Sequence, residues 1–379
     1  MKSQHLVISL FLGLLPVAFS CDCDDPSDPK CSNYNPCYPY DCDSINDSEG
    51  TIIVDKVFSQ GLESNLLSDN PERKVSIYLP PDYDTETSKS YPVLYLLHGY
   101  LCDHDTWFGG ELSEEYGENG LNMKKMLDTL IQKNHIEPMI VVSPSSRNAY
   151  DGSWYTNSMV SGNWEDFITE DVVNHVDTHY RTLPEAESRG IAGHSMGAYG
   201  AIKLAMKHPD IYSSVYAMSG ALYIEDFMEV NKEYILAALQ ENSYPSVSFT
   251  PEEYLVRILI AMSAAFAPNP DMEPFLGEFP YSEEGTRIDS TWQKWVQQDP
   301  MYLLNLYVNN MKQLEAIRLD CGNRDDSHPS NKAFSDALTA KGIEHIFETY
   351  TGNHNNKIPE RLANEVLPYF SEHLDHSEN

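Results

Sequence analysis

Residues 193–200 read GHSMGAYG, placing Ser195 at the centre of a G-x-S-x-G pentapeptide. A serine hydroxyl is a weak nucleophile until a neighbouring base takes its proton. The chemistry to look for is therefore acyl transfer, and the partners to look for are a histidine and a carboxylate. In strand-to-helix nucleophile turns the chain order is serine, acid, histidine. The segment LDCGNRDDSHP (319–329) offers Asp320, Asp325 and Asp326. Asp320 falls inside a β-type run and reads as a structural partner. Asp325 lies in the loop three residues after Gly322, where a carboxylate can reach an imidazole, and Asp326 is its close rival. Next comes TGNHNN (351–356) with His354, which follows a strand end and a glycine and can bend back over Ser195. His345 begins a strand at its far end, His328 shares the loop of Asp325, and His373 and His376 lie in the tail.

A pentapeptide means something only where a strand leads into it and a helix leaves it. SRGIAG (188–193) has strand texture, and GAYGAIKLAMK (197–207) has helical texture ended by His208-Pro209. Gly193 and Gly197 suit a strained elbow that packs close to its neighbours. A helix starting here turns its positive end toward developing negative charge. The Met196 amide is thus one candidate oxyanion donor. The second should come from a loop after an earlier strand, and VLYLLHGY (93–100) supplies it through the Tyr100 amide. His98 reads as structural. Trp107, Trp154 and Tyr155 fall in loops after strands and are candidates for lining a substrate pocket.

Eight β-type runs begin at residues 51, 74, 93, 139, 188, 213, 316 and 345, with helical stretches such as 164–179, 197–207 and 331–342 between the later ones. The fully apolar VLYLL and MIVV read as strands buried on both faces. The alternation predicts an α/β domain over 51–375, a mostly parallel eight-stranded sheet with helices on both faces. About 95 residues separate MSG (218–220) from AIRLDCG (316–322), more than one crossover requires. Within this stretch Thr250-Pro251-Glu252-Glu253 is a helix start, and Leu255, Ile258, Leu259, Met262 and Phe266 share one face. The 222–300 insertion is therefore a core-packed helical element or a lid over the strand ends.

The chain has 379 residues, 25 basic and 58 acidic side chains, and a formal net charge of −33. That charge repels phosphate backbones and argues against nucleic acid as a partner. At the N-terminus, Lys2 precedes an apolar run from Leu6 to Phe19. The run is shorter than the ~20 residues a membrane span needs and fits a signal peptide over 1–20. Ala18-Phe19-Ser20 resembles a signal-peptidase site, and Cys21 directly after it resembles the start of a bacterial lipoprotein. Either way the protein is expected to be exported: secreted, periplasmic or lipid-anchored at the cell surface. Five of the seven cysteines (Cys21, Cys23, Cys31, Cys37 and Cys42) crowd into a Cys/Asp-rich linker or stalk over 21–50. With Cys21 as the lipidation candidate, four remain for two disulfides of open pairing. Cys102 and Cys321 read as buried free thiols. No C-x-x-C pair or complete calcium loop is present.

Taken together, YPVLYLLHGY (91–100) with Trp107, DGSWYTNS (151–158), WEDFITEDVVNHVDTHYRT (164–182), GHSMGAYGAIKLAMKHPD (193–210), LDCGNRDD (319–326) and GNH (352–354) resemble the esterase-D-like branch of the α/β-hydrolases. That branch includes S-formylglutathione hydrolases, feruloyl and acetylxylan esterases, siderophore esterases and mycolyltransferase antigens. The resemblance implies a triad of Ser195, Asp325 and His354, with Tyr100 and Met196 forming the oxyanion hole. It implies no metal or organic cofactor. It departs from the family at Ala198, where many members have glycine, and in the longer 222–300 insertion. The expected activity is a serine carboxylesterase acting on short acyl or feruloyl esters, as small molecules or on polysaccharide. The alternatives are a catecholate-siderophore esterase and a non-catalytic surface binding protein on the same fold. A histidine base must be neutral to accept a proton. Activity is therefore expected to fall on the acid side of neutrality, and a pH–rate profile flat down to about pH 4 would contradict it.

Overall fold

The computed structural model describes residues 49–110, 113–116, 121–245 and 250–377. The expected signal peptide, the stalk cysteines and the lipidation candidate Cys21 lie outside the described residues.

Eight strands form one sheet: β1 (Thr51–Phe58), β2 (Glu72–Leu79), β3 (Val93–Leu97), β4 (Ile140–Pro144), β5 (Arg189–His194), β6 (Ser214–Met218), β7 (Ala316–Gly322) and β8 (Ile346–Tyr350). Each coincides with one of the β-type runs. The strand order is β1-β2-β4-β3-β5-β6-β7-β8. β2 pairs antiparallel with β1 and β4; the other neighbours are parallel. Antiparallel pairing of β2 needs only loops, whereas every parallel step needs a crossover.

Alternation along β3 explains why its sequence is wholly apolar. Val93, Tyr95 and Leu97 enter the core on one face, and Leu94 and Leu96 enter the core on the other. Successive side chains point to opposite faces, so a strand covered on both sides has no position for a polar residue. The smaller core is closed by helix α1 (Met123–Gln132) and by the C-terminal helical run that includes Leu362, Val366 and Phe370. The larger core holds helix α2 (Met196–Lys207), which follows β5, and most of the insertion.

The insertion contributes helices α3 (Ile224–Val230), α4 (Lys232–Ala238), α5 (Pro251–Phe266) and α6 (Asp289–Val296). Thr250 caps α5: its side chain accepts from the Glu253 amide at 3.3 Å and donates to the Glu253 carboxylate at 2.8 Å. Pro251 follows in the first turn. The sequence pattern marked one buried face on α5, yet every residue from Tyr254 to Phe266 is buried. Phe266 packs against Trp154, Tyr199 and Trp295, so α5 lies between the sheet-bound layer and further insertion residues. It is therefore both core and wall. Among the described residues no helix is long and apolar enough to cross a membrane.

The C-terminal end of α2 is clipped to the helical run that starts at Trp164. The buried Glu165 carboxylate accepts from Lys207 and, at 3.0 Å, from His208 Nε2, and lies 3.7 Å from Lys203 Nζ. Burial alone would raise the Glu165 carboxyl, but these donors outweigh it and bring it down to about 2 from an ordinary 4.5. Burial pulls the Lys203 ammonium the other way, down to about 7. His208, Lys203 and Lys207 together keep Glu165 ionised. A carboxylate depressed on folding stabilises fully above its unfolded value and loses that contribution as pH falls through its folded value. Glu165→Gln is expected to lower stability at neutral pH by on the order of 2–3 kcal/mol. It should also flatten the fall in stability between about pH 4.5 and 2, read from urea unfolding at a series of pH values.

Candidate active site

Ser195 stands between β5 and α2 with φ 59° and ψ −118°. A non-glycine residue with positive φ is strained, at about 1–3 kcal/mol, and persists only where its surroundings fix it. They do so here. The Ser195 amide donates to the Met218 carbonyl at 3.0 Å, and its carbonyl accepts from Tyr199 at 3.1 Å. A Cβ on Gly193 would stand 2.3 Å from the Gly197 carbonyl group, and one on Gly197 would stand 2.2 Å from the Leu97 carbonyl oxygen. Only glycine permits the elbow to close on itself and on β3.

His354 and Asp325 arrive on the loops that follow β8 and β7. His354 Nδ1 donates to Asp325 Oδ2 at 2.9 Å. The other carboxylate oxygen accepts from the Ser327 amide at 2.9 Å and the Ser327 hydroxyl at 2.8 Å. Burial alone would raise the Asp325 carboxyl. The charge and hydrogen bond of His354, the Ser327 amide and the Ser219 hydroxyl together hold it far below the usual carboxylate range. Asp325 is therefore an anion that orients the imidazole and points its Nε2 away from the acid. The rival Asp326 stands largely exposed; the partial burial of its carboxyl and the adjacent Asp325 raise it. Asp320 is fully buried and accepts from Tyr216 at 2.7 Å and from Arg361 Nε at 2.8 Å, so it is structural, as its place within the strand implied.

Ser195, Asp325, His354, Tyr100, Met196 and Trp154 all line one cavity of about 330 Å³. Neither the Tyr100 nor the Met196 amide has a hydrogen-bond partner among the described residues. Two expected pocket residues are elsewhere. Trp107 is fully buried and stacks on Tyr116 at 5.4 Å, in the core on the other face of the sheet. Tyr155 is fully buried, donates to the His98 carbonyl at 2.8 Å and packs where a Cβ on Gly200 would go. Both segments follow strands, but their rings turn into the protein rather than into the cavity. His98 is structural as expected: Nδ1 donates to the Gly99 carbonyl and Nε2 accepts from the Ser146 amide, each at 2.8 Å. Burial pushes its imidazole down to about 4.

Three contributors were not singled out from the sequence. His194, the residue before Ser195, donates from Nε2 to the His354 carbonyl at 2.8 Å, and its Nδ1 accepts from the Tyr116 hydroxyl at 3.3 Å. Burial and the neighbouring His354 push its imidazole down to about 3, so it stays neutral and fixes the backbone of the His354 loop. Ser327 and Ser219 hold the acid. Of these, only His194 carried a sequence signal, its place inside the pentapeptide. Cys102 and Cys321 are buried free thiols. Among the described residues no group of three or more His, Cys, Asp or Glu side chains is arranged to hold a metal ion.

A nucleophile elbow at the C-terminal edge of such a sheet, with acid and histidine on the two following loops, is the layout of an α/β-hydrolase. The putative esterase family model matches residues 67–373, and the chain belongs to that family. It is 30% identical over 185 residues to an esterase from Mycobacterium tuberculosis. That match covers 46% of this chain and 36% of the relative, so the chain spans little more than a third of that protein's length. Among solved structures, a ferulic acid esterase superposes with TM-score 0.58 at 20% identity, over 86% of this chain and 99% of that one. The Staphylococcus aureus S-formylglutathione hydrolase superposes with TM-score 0.55 at 18% identity, over 86% and 100%. A feruloyl esterase module from Clostridium thermocellum, complexed with sinapinate, gives 0.55 at 15%, over 92% and 95%. At these identities the structural likenesses establish the fold.

Gly193→Ala should displace the elbow, because backbone atoms of Gly197 occupy the space its methyl needs. A misplacement on the order of 1 Å costs about 10²-fold. The soluble variant is therefore expected to lose at least about 10² in kcat/KM on p-nitrophenyl acetate, or the chain to fail to accumulate folded.

Proposed function

We propose that the protein is a serine carboxylesterase working through an acyl-enzyme. The observation that carries this reading is the strained Ser195 sharing a cavity with a histidine whose Nδ1 is bonded to a buried, ionised Asp325. His354 Nε2 takes the Ser195 proton as the oxygen attacks the ester carbonyl. The carbonyl π electrons move onto oxygen, and the Tyr100 and Met196 amides meet the oxyanion. Collapse expels the alcohol, which receives the proton from His354. Water then attacks the acyl-enzyme by the same path, and the acid leaves. Asp325 remains ionised throughout and stabilises the imidazolium.

The cavity favours short acyl or aromatic acyl groups. Its wall is largely apolar (Trp154, Met196, Ile224, Phe227, Ile258, Met262), and its volume suits a small ligand. Carboxylates of Asp226 and Asp326 stand exposed at its border, and the chain carries a net charge of −33. Both features disfavour anionic substrates such as glutathione thioesters and catecholate siderophores. They support an uncharged, hydroxylated alcohol component such as a polysaccharide. The apolar run from Leu6 to Phe19 and Cys21 support export, with lipid anchorage as its surface-bound form.

Ser195→Ala is expected to lose at least about 10³-fold in kcat on p-nitrophenyl acetate while keeping the wild-type melting temperature. Among natural-type esters, feruloyl and acetyl esters should outrun a glutathione thioester in kcat/KM. A folded wild-type protein as inert as the variant would turn the reading toward a binding protein.

A further inference from the structure

Beside the cavity lies a buried polar chain that the mechanism above does not use. Asp151 and Leu101 both have positive φ, 64° and 69°. The Leu101 amide donates to the Asp151 carbonyl at 3.0 Å, so the turn around Asp151 holds the backbone directly after Tyr100. This turn is also pressed against both oxyanion residues: a Cβ on Gly152 would stand 2.6 Å from Met196 Sδ and 2.7 Å from the Tyr100 ring. The Asp151 side chain is buried, and Arg147 donates to Oδ1 at 3.0 and 3.2 Å. Its other oxygen accepts from two residues of the insertion, Arg257 Nη2 and the Tyr244 hydroxyl, the latter at 2.9 Å. The Tyr244 oxygen is in turn 2.7 Å from the Tyr100 hydroxyl. Arg257 also donates to the Pro245 carbonyl, and its guanidinium lies 4.5 Å from the centre of the Tyr244 ring.

We propose that Tyr244 and Arg257 are positioning residues for the oxyanion loop, through which the insertion fixes the Tyr100 amide. The inference rests on the esterase reading above. Tyr100 is gripped at two points: its side chain by Tyr244, and the following amide by the Asp151 turn. Both grips converge on one residue, the main-chain carbonyl of Asp151 for the amide and its carboxylate for Tyr244, and the insertion supplies two of that carboxylate's three side-chain partners. The Tyr244 hydroxyl has two acceptors, the Asp151 carboxylate at 2.9 Å and the Tyr150 carbonyl at 3.0 Å; with its proton on either, the Tyr100 hydroxyl donates to Tyr244, and Arg257 and Arg147 compensate the Asp151 charge. An aspartate that deep needs such partners, because an unpaired buried charge is costly. The same need makes the geometry well defined, and an oxyanion donor acts only at a defined place. A wall that merely shaped the pocket would need apolar contacts from α5, which Ile258 and Met262 already provide. Arg257 and Tyr244 instead tie the insertion to the loop that performs chemistry.

The test uses Tyr244→Phe in the full chain, which deletes the hydroxyl and keeps the ring. Steady-state kinetics on p-nitrophenyl acetate are read beside inhibition by an aryl trifluoromethyl ketone, whose serine adduct places an oxyanion in the hole. Complete removal of an oxyanion donor costs about 10²–10³ in kcat, so loosening one should cost about 10-fold. The expected result is a kcat lower by about 10-fold, KM within about 2-fold, and a ketone inhibition constant raised by about the same factor as kcat falls. Arg257→Lys should retain more of kcat than Arg257→Met. An active wild type whose Tyr244→Phe variant keeps kcat and ketone affinity overturns the clamp and leaves the esterase reading standing. A variant altered only in KM overturns it equally. An inert, folded wild type removes the esterase reading and the clamp with it.

Discussion

The backbone of Ser195 is held at φ 59° and ψ −118°, and most of what surrounds it exists to keep it there. The conformation is locally unfavourable and has no use unless the side chain is thrust out of the strand and the next amides are turned toward the same space. Two glycines make it sterically admissible, because the elbow folds onto its own backbone and onto the carbonyls of β3. The hydrogen bond from Ser195 to Met218 extends the sheet by one residue past the strand proper. α2 can then pack tightly enough that every residue from Met196 to Met206 is buried. Strain at one residue is thus offset by the packing of a whole helix, and the helix N-terminus is delivered to the cavity by the same geometry.

Acid and base are arranged by a different means, a set of hydrogen bonds between loops that share no strand. Asp325 is buried, which by itself favours its neutral form; its donors reverse that. His194 joins the two halves of the site, since it precedes Ser195 in sequence and holds the His354 carbonyl in space. Because burial keeps His194 neutral, it can donate at one nitrogen and accept at the other, which an imidazolium could not. The relative placement of Ser195 and His354 therefore depends on a buried histidine that the proposed mechanism does not use.

The centre of the sheet was legible because burial on both faces writes itself into β3 and β4 as an apolar run, whereas the largely exposed edge strands β1 and β8 were marked by their β-type residues alone. Ser195, Asp325 and His354 were legible as candidates from chain order and from the family resemblance, since each follows a strand whose C-terminal end must lie on one edge of a parallel sheet, and the structure brings all three to one cavity. What sequence could not tell was which way a loop side chain turns. Trp107, Trp154 and Tyr155 had equal standing, yet only Trp154 faces the cavity. Trp154 and Tyr155 are adjacent and both have positive φ, so a single local twist sends one ring outward and its neighbour under His98. Periodicity likewise found α5 but gave it one buried face, because a helix covered on all sides carries no moment to read. Arg257 is the informative residue there: a charge within the buried stretch of the helix has to find a buried partner, and that partner, Asp151, is 106 residues away in sequence.

That partnership also bears on what kind of cover the insertion is. A flap that opens must leave its contacts for water at little cost. α5 would have to expose an unbroken buried stretch and separate Arg257 from Asp151, leaving a buried guanidinium without its carboxylate and Asp151 with Arg147 as its one remaining arginine. Neither is compatible with a hinge that works on every turnover. On the proposed function this favours a preformed cavity, reached along the exposed border marked by Asp226, Val230 and Asp326 rather than through a parting of helices. On the proposed function, selectivity has two separate origins: the apolar wall from α3 and α5 would select the acyl group by size and shape, and the carboxylates at the border would select the alcohol by charge.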